Sequence, residues 1–480
     1  MFYQLLVLCC LCVILRMWSK KHSASEPPEL SGKLPIIGHA HRFIGDGPKF
    51  YKTLHKISKE DFQKNGLITF SLGPRKLYAA ADPEDCLTIL NKCLEKAFVY
   101  DFVKPYFGDG LGTANVATWK KTRKLLNPAF NQTVLDGFVD VFNTQALRLV
   151  DQLAVEVGKP FDHDPFLRIN ILETVSTALG VDLRNYNLHK HYLPRLTKVT
   201  KIIIERMQKF WLHSDFIFNM SQQKKTQDEQ LEHILIIKEK KIERENKSKT
   251  KTKREKCKPF IDLILDLADG DDTGIFTDEH IRAEIDTIIG AGHDTASSLL
   301  TFTLTELGSR DDVQEKAYNE ILQVLGHQTS VNQEDLSKLV YIDAVLRETL
   351  RLYPIIPVLG RRSEEDIQLK SYTITANNEY FVSIHGLHRQ NIWGPDADQF
   401  RPERWFDKET LPDPKYYGGF GMGRRSCIGK AYAMMSMKIT LAHVLRNYRI
   451  SADVSKMVVT MDIVIRPESG HYITLSPRNT

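Results

Sequence analysis

A single cysteine near the C-terminal end constrains this 480-residue chain more than any other feature. The stretch Phe420-Gly-Met-Gly-Arg-Arg-Ser-Cys-Ile-Gly429 sets Cys427 among three glycines and two arginines, and a helix-forming run from Lys430 to Leu445 follows at once. Glycines let the backbone take left-handed conformations and approach a flat ligand closely. The amides and dipole at the start of the following helix aim back at the sulfur and favour thiolate over thiol, and Arg425 adds a nearby positive charge. A thiolate cradled in this way suits an axial iron ligand. For the cysteine taken alone, the plainer alternative is a small hydrophobe buried in a turn.

Length alone would allow two or three domains, although one large helical fold around a prosthetic group fills the same length. Hydrophobic content of 42% and charged content of 26% are those of a globular protein, and a net charge of +5 gives no argument for nucleic acid. Cys9, Cys10 and Cys12 lie in an apolar segment, while Cys86, Cys93, Cys257 and Cys427 are scattered without C-x-x-C spacing. That pattern argues against a disulfide framework or structural zinc.

Met1 to Trp18 is apolar except for Gln4 and Arg16, with Lys20 and Lys21 behind it. As a helix it would span roughly 27 Å, enough for a thin bilayer. The charge asymmetry places the body in the cytosol. Ser23-Ala24-Ser25 offers the small residues of a cleaved signal peptide, but no positive charge precedes the apolar run. The expected division is a membrane anchor at 1–19, a basic, proline-rich hinge at 20–38 (Pro27, Pro28, Pro35), and one main domain at 39–480. Leu67 to Phe70 and Lys76 to Ala80 read as strands around Gly73-Pro74. Most later segments have helical periodicity, including two helices between Phe260 and Ser309. The fold class is therefore mainly α with small β-sheets (α+β). The basic run Lys247 to Lys258 lacks aromatic interleaving and reads as a solvated loop.

Four further motifs precede the cysteine loop. Trp119 and Arg123 share a helix face at i and i+4. Ala291-Gly292-His293-Asp294-Thr295 puts a carboxylate and a hydroxyl in mid-helix, where burial is costly without hydrogen bonds. Thr295 bonded to a carbonyl one turn back would bend the helix, and an ordinary helix with a back-bonded threonine is the bland alternative. Glu348 and Arg351 lie at i and i+3, and Phe400-Arg-Pro-Glu-Arg-Trp405 follows. A glutamate buried between Arg351 and Arg404 is tolerable only when nearly fully paired. Pro354 to Gly360 is apolar and cannot be helical.

In this order the motifs resemble the cytochrome P450 family, and Phe-x-x-Gly-x-Arg-x-Cys-x-Gly matches its haem signature at every fixed position. The resemblance runs from the hinge to the end of the chain. Gly292-His-Asp-Thr295, Asn127-Pro-Ala-Phe130 and the Gly360 to Leu369 phrase look like the fatty-acid ω-hydroxylase clan, especially its insect branches. The resemblance implies the cytochrome P450 fold around haem b, with Cys427 as the axial iron ligand. It implies Trp119, Arg123 and Arg361 as propionate donors, with Arg362 beside the last as the alternative. Phe420 and Arg425 belong to the cysteine loop, and Glu348, Arg351 and Arg404 lock it from beneath. Asp294 and Thr295 become a catalytic acid–alcohol pair relaying protons to dioxygen. Many clan members carry, where Ala291 stands, a glutamate that can esterify haem, so haem here is expected to be non-covalent. The same departure argues against a strict terminal-methyl hydroxylase.

The activity implied is a membrane-bound monooxygenase inserting one oxygen atom of dioxygen into a lipophilic substrate: fatty acid, hormone, terpenoid or xenobiotic. Electrons would come from NADPH through NADPH–cytochrome P450 reductase, with cytochrome b5 as a further candidate donor, at the endoplasmic reticulum membrane facing the cytosol. Lys120, Lys121 and Lys124, with Arg424 and Lys430, are the expected docking patch. Expected substrate contacts are Phe102, Tyr106, Phe107, Ile288, Ala291, the Pro354 to Gly360 segment and Met461. A non-oxygenating haem-thiolate isomerase or haem-binding protein is the alternative, and neither would need the Asp294–Thr295 pair.

Overall fold

The computed structural model describes residues 26–180, 188–230, 258–270, 274 and 276–478. The expected anchor, the hinge up to residue 25 and the basic run up to residue 257 lie outside the described residues. Among the described residues no helix is long and apolar enough to cross a membrane.

The architecture is mainly helical, with small sheets at its margins. The largest sheet has five strands and carries part of the site. Its hairpin joins β1 (Leu67–Leu72) to β2 (Arg75–Ala80) through Gly73 at φ +59°, a conformation glycine takes without a Cβ penalty. The two-residue β3 (Glu95–Lys96), β4 (Val358–Arg362) and β5 (Glu379–Ser383) complete it in the order β1-β2-β5-β4-β3. Only the β2–β5 pair is parallel. The register sets Lys96 directly opposite Arg361.

The proline-rich segment is not a free spacer along its whole length. From Pro27 it is docked on the outer edge of β1: Thr69 N donates to Pro28 O and Leu30 N to Thr69 O, both at 2.8 Å. His39 Nε2 donates to Leu30 O at 2.6 Å while its Nδ1 accepts from Ser71 N at 3.0 Å. The physical reason is the open ladder of an edge strand, which the segment pairs.

The helices that build the site are α1 (Val116–Leu126), α2 (Asp164–Leu179), α3 (Asp278–Gly308), α4 (Val340–Leu352) and α5 (Lys430–Asn447). Asn115 caps α1 by accepting from Thr118 N at 2.9 Å. Thr277 caps α3, with Asp278 and Glu279 complementing the dipole in its first turn. The 31-residue α3 is unbroken, and from Ala296 to Gly308 every residue is buried. It runs through the largest apolar core with α2, α4 and α5. Gly292 lets α2 close on α3, since a β-carbon there would stand 3.1 Å from Val175 Cγ2.

Candidate active site

The cysteine loop is shaped by backbone bonds. Cys427 N donates to Phe420 O at 2.9 Å and Ser426 N to Gly423 O at 3.2 Å, curling the loop onto itself. Gly423 has φ +67°, and a β-carbon there would lie 2.6 Å from Leu90 O, so only glycine fits. No side chain caps α5 at Gly429, which leaves its first amides free of a side-chain competitor near the sulfur. The helix-start amide acts on the sulfur in the direction the dipole argument expects, and burial opposes it. Burial pushes the Cys427 thiol up, and the Gly429 amide, Arg123 and Lys430 offset only part of that. A metal cation bound at the sulfur adds the charge that holds it as thiolate. The sulfur opens onto a cavity of about 310 Å³ although protein surrounds the loop, hence its solvent exposure beside its desolvation.

A charged network lies next to the loop. Glu348 accepts two bonds from Arg351, at Nε and Nη2, both at 2.9 Å. It also accepts from Arg404 Nε at 2.9 Å, Arg401 N at 3.0 Å and Trp405 Nε1 at 3.1 Å. Glu348 and Arg351 have no exposed surface. The remaining arginine protons go to carbonyls, among them His388, Gln399 and Trp393. His388 links this network to the loop. Its Nδ1 donates to Arg351 O at 3.0 Å and its Nε2 accepts from Gly418 N at 2.9 Å, two residues before Phe420. Burial and Arg351 push its imidazole down to about 3, in keeping with a neutral ring that accepts at one nitrogen. Sequence reasoning missed His388, which belongs to none of the motifs.

Three cations meet at the cavity. Arg361, Arg425 and Lys96 all line it. Arg425 Nη1 donates to Ala114 O at 2.9 Å, and its guanidinium lies 4.6 Å above the Trp119 ring. Nε and Nη2 of Arg425 and Nε of Arg361 are buried without a hydrogen-bond partner in the protein. Burial first, then Arg361, pushes Arg425 down to about 10, and burial with both arginines holds Lys96 well below the usual lysine range. Such crowding is costly unless an anion joins it. Lys96 was also invisible from sequence, because a two-residue strand carries no pattern. Arg123 is placed differently: Nη1 donates to Ser426 O at 2.8 Å and Nε to Asn127 Oδ1 at 2.9 Å.

Across the cavity, Ile288, Ala291 and Thr295 present one face of α3. Thr295 Oγ1 donates to Ala291 O at 2.7 Å. Asp294 points elsewhere: Arg168 Nη2 of α2 donates to its Oδ1 at 3.4 Å, and Arg466 Nη1 stands 3.8 Å from the same oxygen. Adjacent helical residues do not share a face, so the two members of the pair look in different directions. Of the other expected contacts, Met461 lines a second, apolar cavity of about 230 Å³ whose wall shares Ile356 with the first. Phe107 packs against Gly290, and Phe102 against Val199 and Ile203.

Among the described residues no three His, Cys, Asp or Glu side chains converge on a metal site. An iron at Cys427 therefore needs its other ligands from a prosthetic group. Unpaired buried cations on one side, a lone sulfur facing an apolar chamber, and glycines around it fit a flat, dianionic macrocycle. The site thus defines a haem-thiolate protein.

Comparison with known proteins agrees. The Cytochrome P450 family model matches residues 27–475. The chain is 30% identical over 485 residues to Cytochrome P450 4V2 of Mus musculus, covering 97% of this chain and 91% of that one. It is 29% identical over 474 residues to Cytochrome P450 4c3 of Drosophila melanogaster, covering 93% and 88%. Cytochrome P450 4d2 of the same fly is 29% identical, covering 93% of both chains. The chain belongs to the cytochrome P450 family. It is a haem monooxygenase whose curated relatives named here are family-4 cytochromes P450, and haem b with a cysteine thiolate as axial ligand is its cofactor.

Proposed function

We propose that this chain is a membrane-associated monooxygenase that hydroxylates a lipophilic substrate with electrons from NADPH, delivered by a flavoprotein reductase. The observation that carries the proposal is the single chamber with the Cys427 loop on one side and the Ala291–Thr295 face of α3 on the other. When bound, haem would supply the activation of dioxygen, one oxygen atom going into a C–H bond and the other leaving as water with the two electrons and two protons supplied. Cys427 would hold it from beneath, Arg361, Arg425 and Lys96 would pair with its carboxylates, and Phe420 would pack against it. Trp119 stiffens Arg425 by lying under its guanidinium. The Glu348–Arg351–Arg404 network fixes the loop. The Thr295 hydroxyl holds a proton at the cavity wall, and rotation about χ1 turns it from the Ala291 carbonyl into the chamber. Asp294, in its ion pairs with Arg168 and Arg466, serves as the proton-exchanging group on the other side of the helix. Ala291 in place of a carboxylate leaves haem non-covalent.

Several features support the finer parts of this reading. Trp211, Phe216, Ile217 and Met220 are exposed, as are Leu34 and Ile36. Phe210 packs on Gly73 of the β1–β2 turn, and Gly73 N bonds Ile37 O, so these two apolar edges adjoin. A patch of this kind suits a bilayer surface. Together with residues 1–19 read as the anchor and 39–480 as the catalytic domain, the patch supports a location at the endoplasmic reticulum membrane. The 230 Å³ apolar cavity, sharing Ile356, offers a lipophile a way from that face to the chamber. On the cysteine side, Lys120, Lys121, Lys124, Arg424 and Lys430 are exposed, and the Arg123–Ser426 bond holds their two groups together. They form a basic docking face for an acidic partner.

The reduced protein is expected to show the strongly red-shifted carbon-monoxide band of thiolate-ligated haem, and turnover is expected to need NADPH, reductase and dioxygen together. Turnover without them would favour an isomerase. Lys120→Glu with Lys124→Glu should lower the rate of reductase association about tenfold at low salt and less at high salt. Unchanged reduction kinetics at low salt would remove the docking face.

A further inference from the structure

One carboxyl in the chamber has no part in the chemistry above. Glu284 lies on the cavity face of α3, two turns before Ala291, and is 0% exposed. No side chain donates a hydrogen bond to either of its oxygens, and the Leu111 backbone, which acts on the carboxyl, stands outside good hydrogen-bond geometry. Thr287, one turn on, also lines the chamber and also has an unpartnered buried Oγ1. The side chain that could pair with Glu284 is engaged elsewhere: His280 Nε2 is 3.5 Å from Glu284 Oε1 but makes its hydrogen bond, at 3.1 Å, with Thr122 Oγ1. Burial pushes the His280 imidazole down, and Asp109 offsets part of that. Burial pushes the Glu284 carboxyl up to about 7, the Leu111 backbone offsets part of this, and no arginine or lysine acts on it. The Gly108 to Gly112 loop closes this end of the chamber. A β-carbon at Gly110 would stand 2.4 Å from Thr287 Oγ1, and one at Gly108 2.7 Å from Ala283 Cβ.

Two unsatisfied polar side chains on one face of α3, buried in the chamber wall, are expensive to keep in a folded protein. Resting on the monooxygenase reading, we propose that Glu284 and Thr287 form a polar anchor for the hydroxyl group of an otherwise apolar, chain-like substrate. The hydroxyl donates to Glu284 and accepts from Thr287, and the apolar tail runs along Ile288 and Ala291 toward Thr295. Eleven residues of helix separate Glu284 from Thr295, about 16 Å, so the anchored end is far from the carbon presented above Cys427. The arrangement discriminates by charge. A free carboxylate would meet a second carboxyl in a chamber of low dielectric, and no arginine or lysine acts on Glu284 to offset the repulsion. An alcohol meets none.

The test is equilibrium titration of the haem-loaded protein with dodecanol and with dodecanoic acid, followed by the substrate-induced shift of the Soret band. Wild-type protein is expected to bind the alcohol at least about tenfold more tightly than the acid, the value of one hydrogen bond to a buried charged or polarised group. Glu284→Gln keeps the volume and removes the charge, so it should bring the two ligands within about threefold of each other. Glu284→Leu should weaken the alcohol about tenfold. Equal binding of acid and alcohol by the wild type overturns the anchor even where no variant folds, as does an unchanged ratio in Glu284→Gln. Loss of the thiolate-type carbon-monoxide band from well-folded wild-type protein would remove the monooxygenase reading itself. The band present with no preference for the alcohol would remove the anchor alone.

Discussion

Replacing Glu348 with alanine is expected to destabilise the folded protein by about 3–5 kcal/mol and to strip most of its haem. The glutamate accepts five hydrogen bonds, three of them from arginines Arg351 and Arg404 that have almost no contact with solvent. Without it two guanidinium charges remain buried and only partly compensated by carbonyls and by Asp396. The cost comes from those stranded charges more than from the lost bonds, because an intact buried pair contributes little net stability over an apolar replacement. Its effect should reach the cysteine loop through His388, which bonds Arg351 O at one nitrogen and Gly418 N at the other. Glu348→Gln should be only slightly milder, since an amide keeps the shape but brings no charge. The check is haem content and thermal inactivation half-life at fixed temperature, the suitable measure for a chain of this size. A variant with wild-type haem content and half-life would show that the arginines are screened by water.

Arg425→Met is expected to move the two forms of the protein in opposite directions. In the haem-free form, Arg425 crowds Arg361 and Lys96, and its Nε and Nη2 lack partners. Methionine keeps much of the volume and removes one unpaired buried charge, so haem-free protein should melt at a higher temperature. In the loaded form the same change removes a charge-assisted bond to a carboxylate, worth about 1.5–3 kcal/mol. Haem affinity should fall about tenfold to a hundredfold. Thermal melts of both forms, with transfer of haem to an excess of scavenging protein, provide the measurement. Shifts of the same sign in the two melts would mean that Arg425 is structural and that the carboxylates bind elsewhere.

What could be read from the sequence was what is local in the chain. The cysteine loop lies within ten residues, and its glycines report their own backbone needs: Gly423 has positive φ and a carbonyl 2.6 Å from its absent β-carbon. The hairpin around Gly73 and the long helix through Thr295 are likewise local, with observed bounds close to those expected. What stayed hidden depends on where distant segments meet. Lys96 faces Arg361 only because a two-residue strand pairs in one register. His388 is a lone histidine until the fold sets it between Arg351 and Gly418. Asp294 reads as the partner of Thr295 in sequence, yet Arg168 and Arg466 claim its carboxylate. Glu284 looks like any helical glutamate, and only the closed chamber shows that no side chain donates a hydrogen bond to it. At Cys427 the helix-start amide that favours the thiolate is visible in sequence, while the burial that opposes it is not.

The bond from Arg123 to Ser426 joins a surface helix to the peptide preceding the iron ligand. On one side of it are the exposed lysines of α1; on the other is the sulfur. Thermodynamic linkage makes such a connection two-way: if the state of the ligand loop changes how α1 sits, the affinity of whatever binds α1 changes by the same factor as that binding changes the loop. A partner docked on these lysines would then be held with a strength that depends on what is bound behind Cys427.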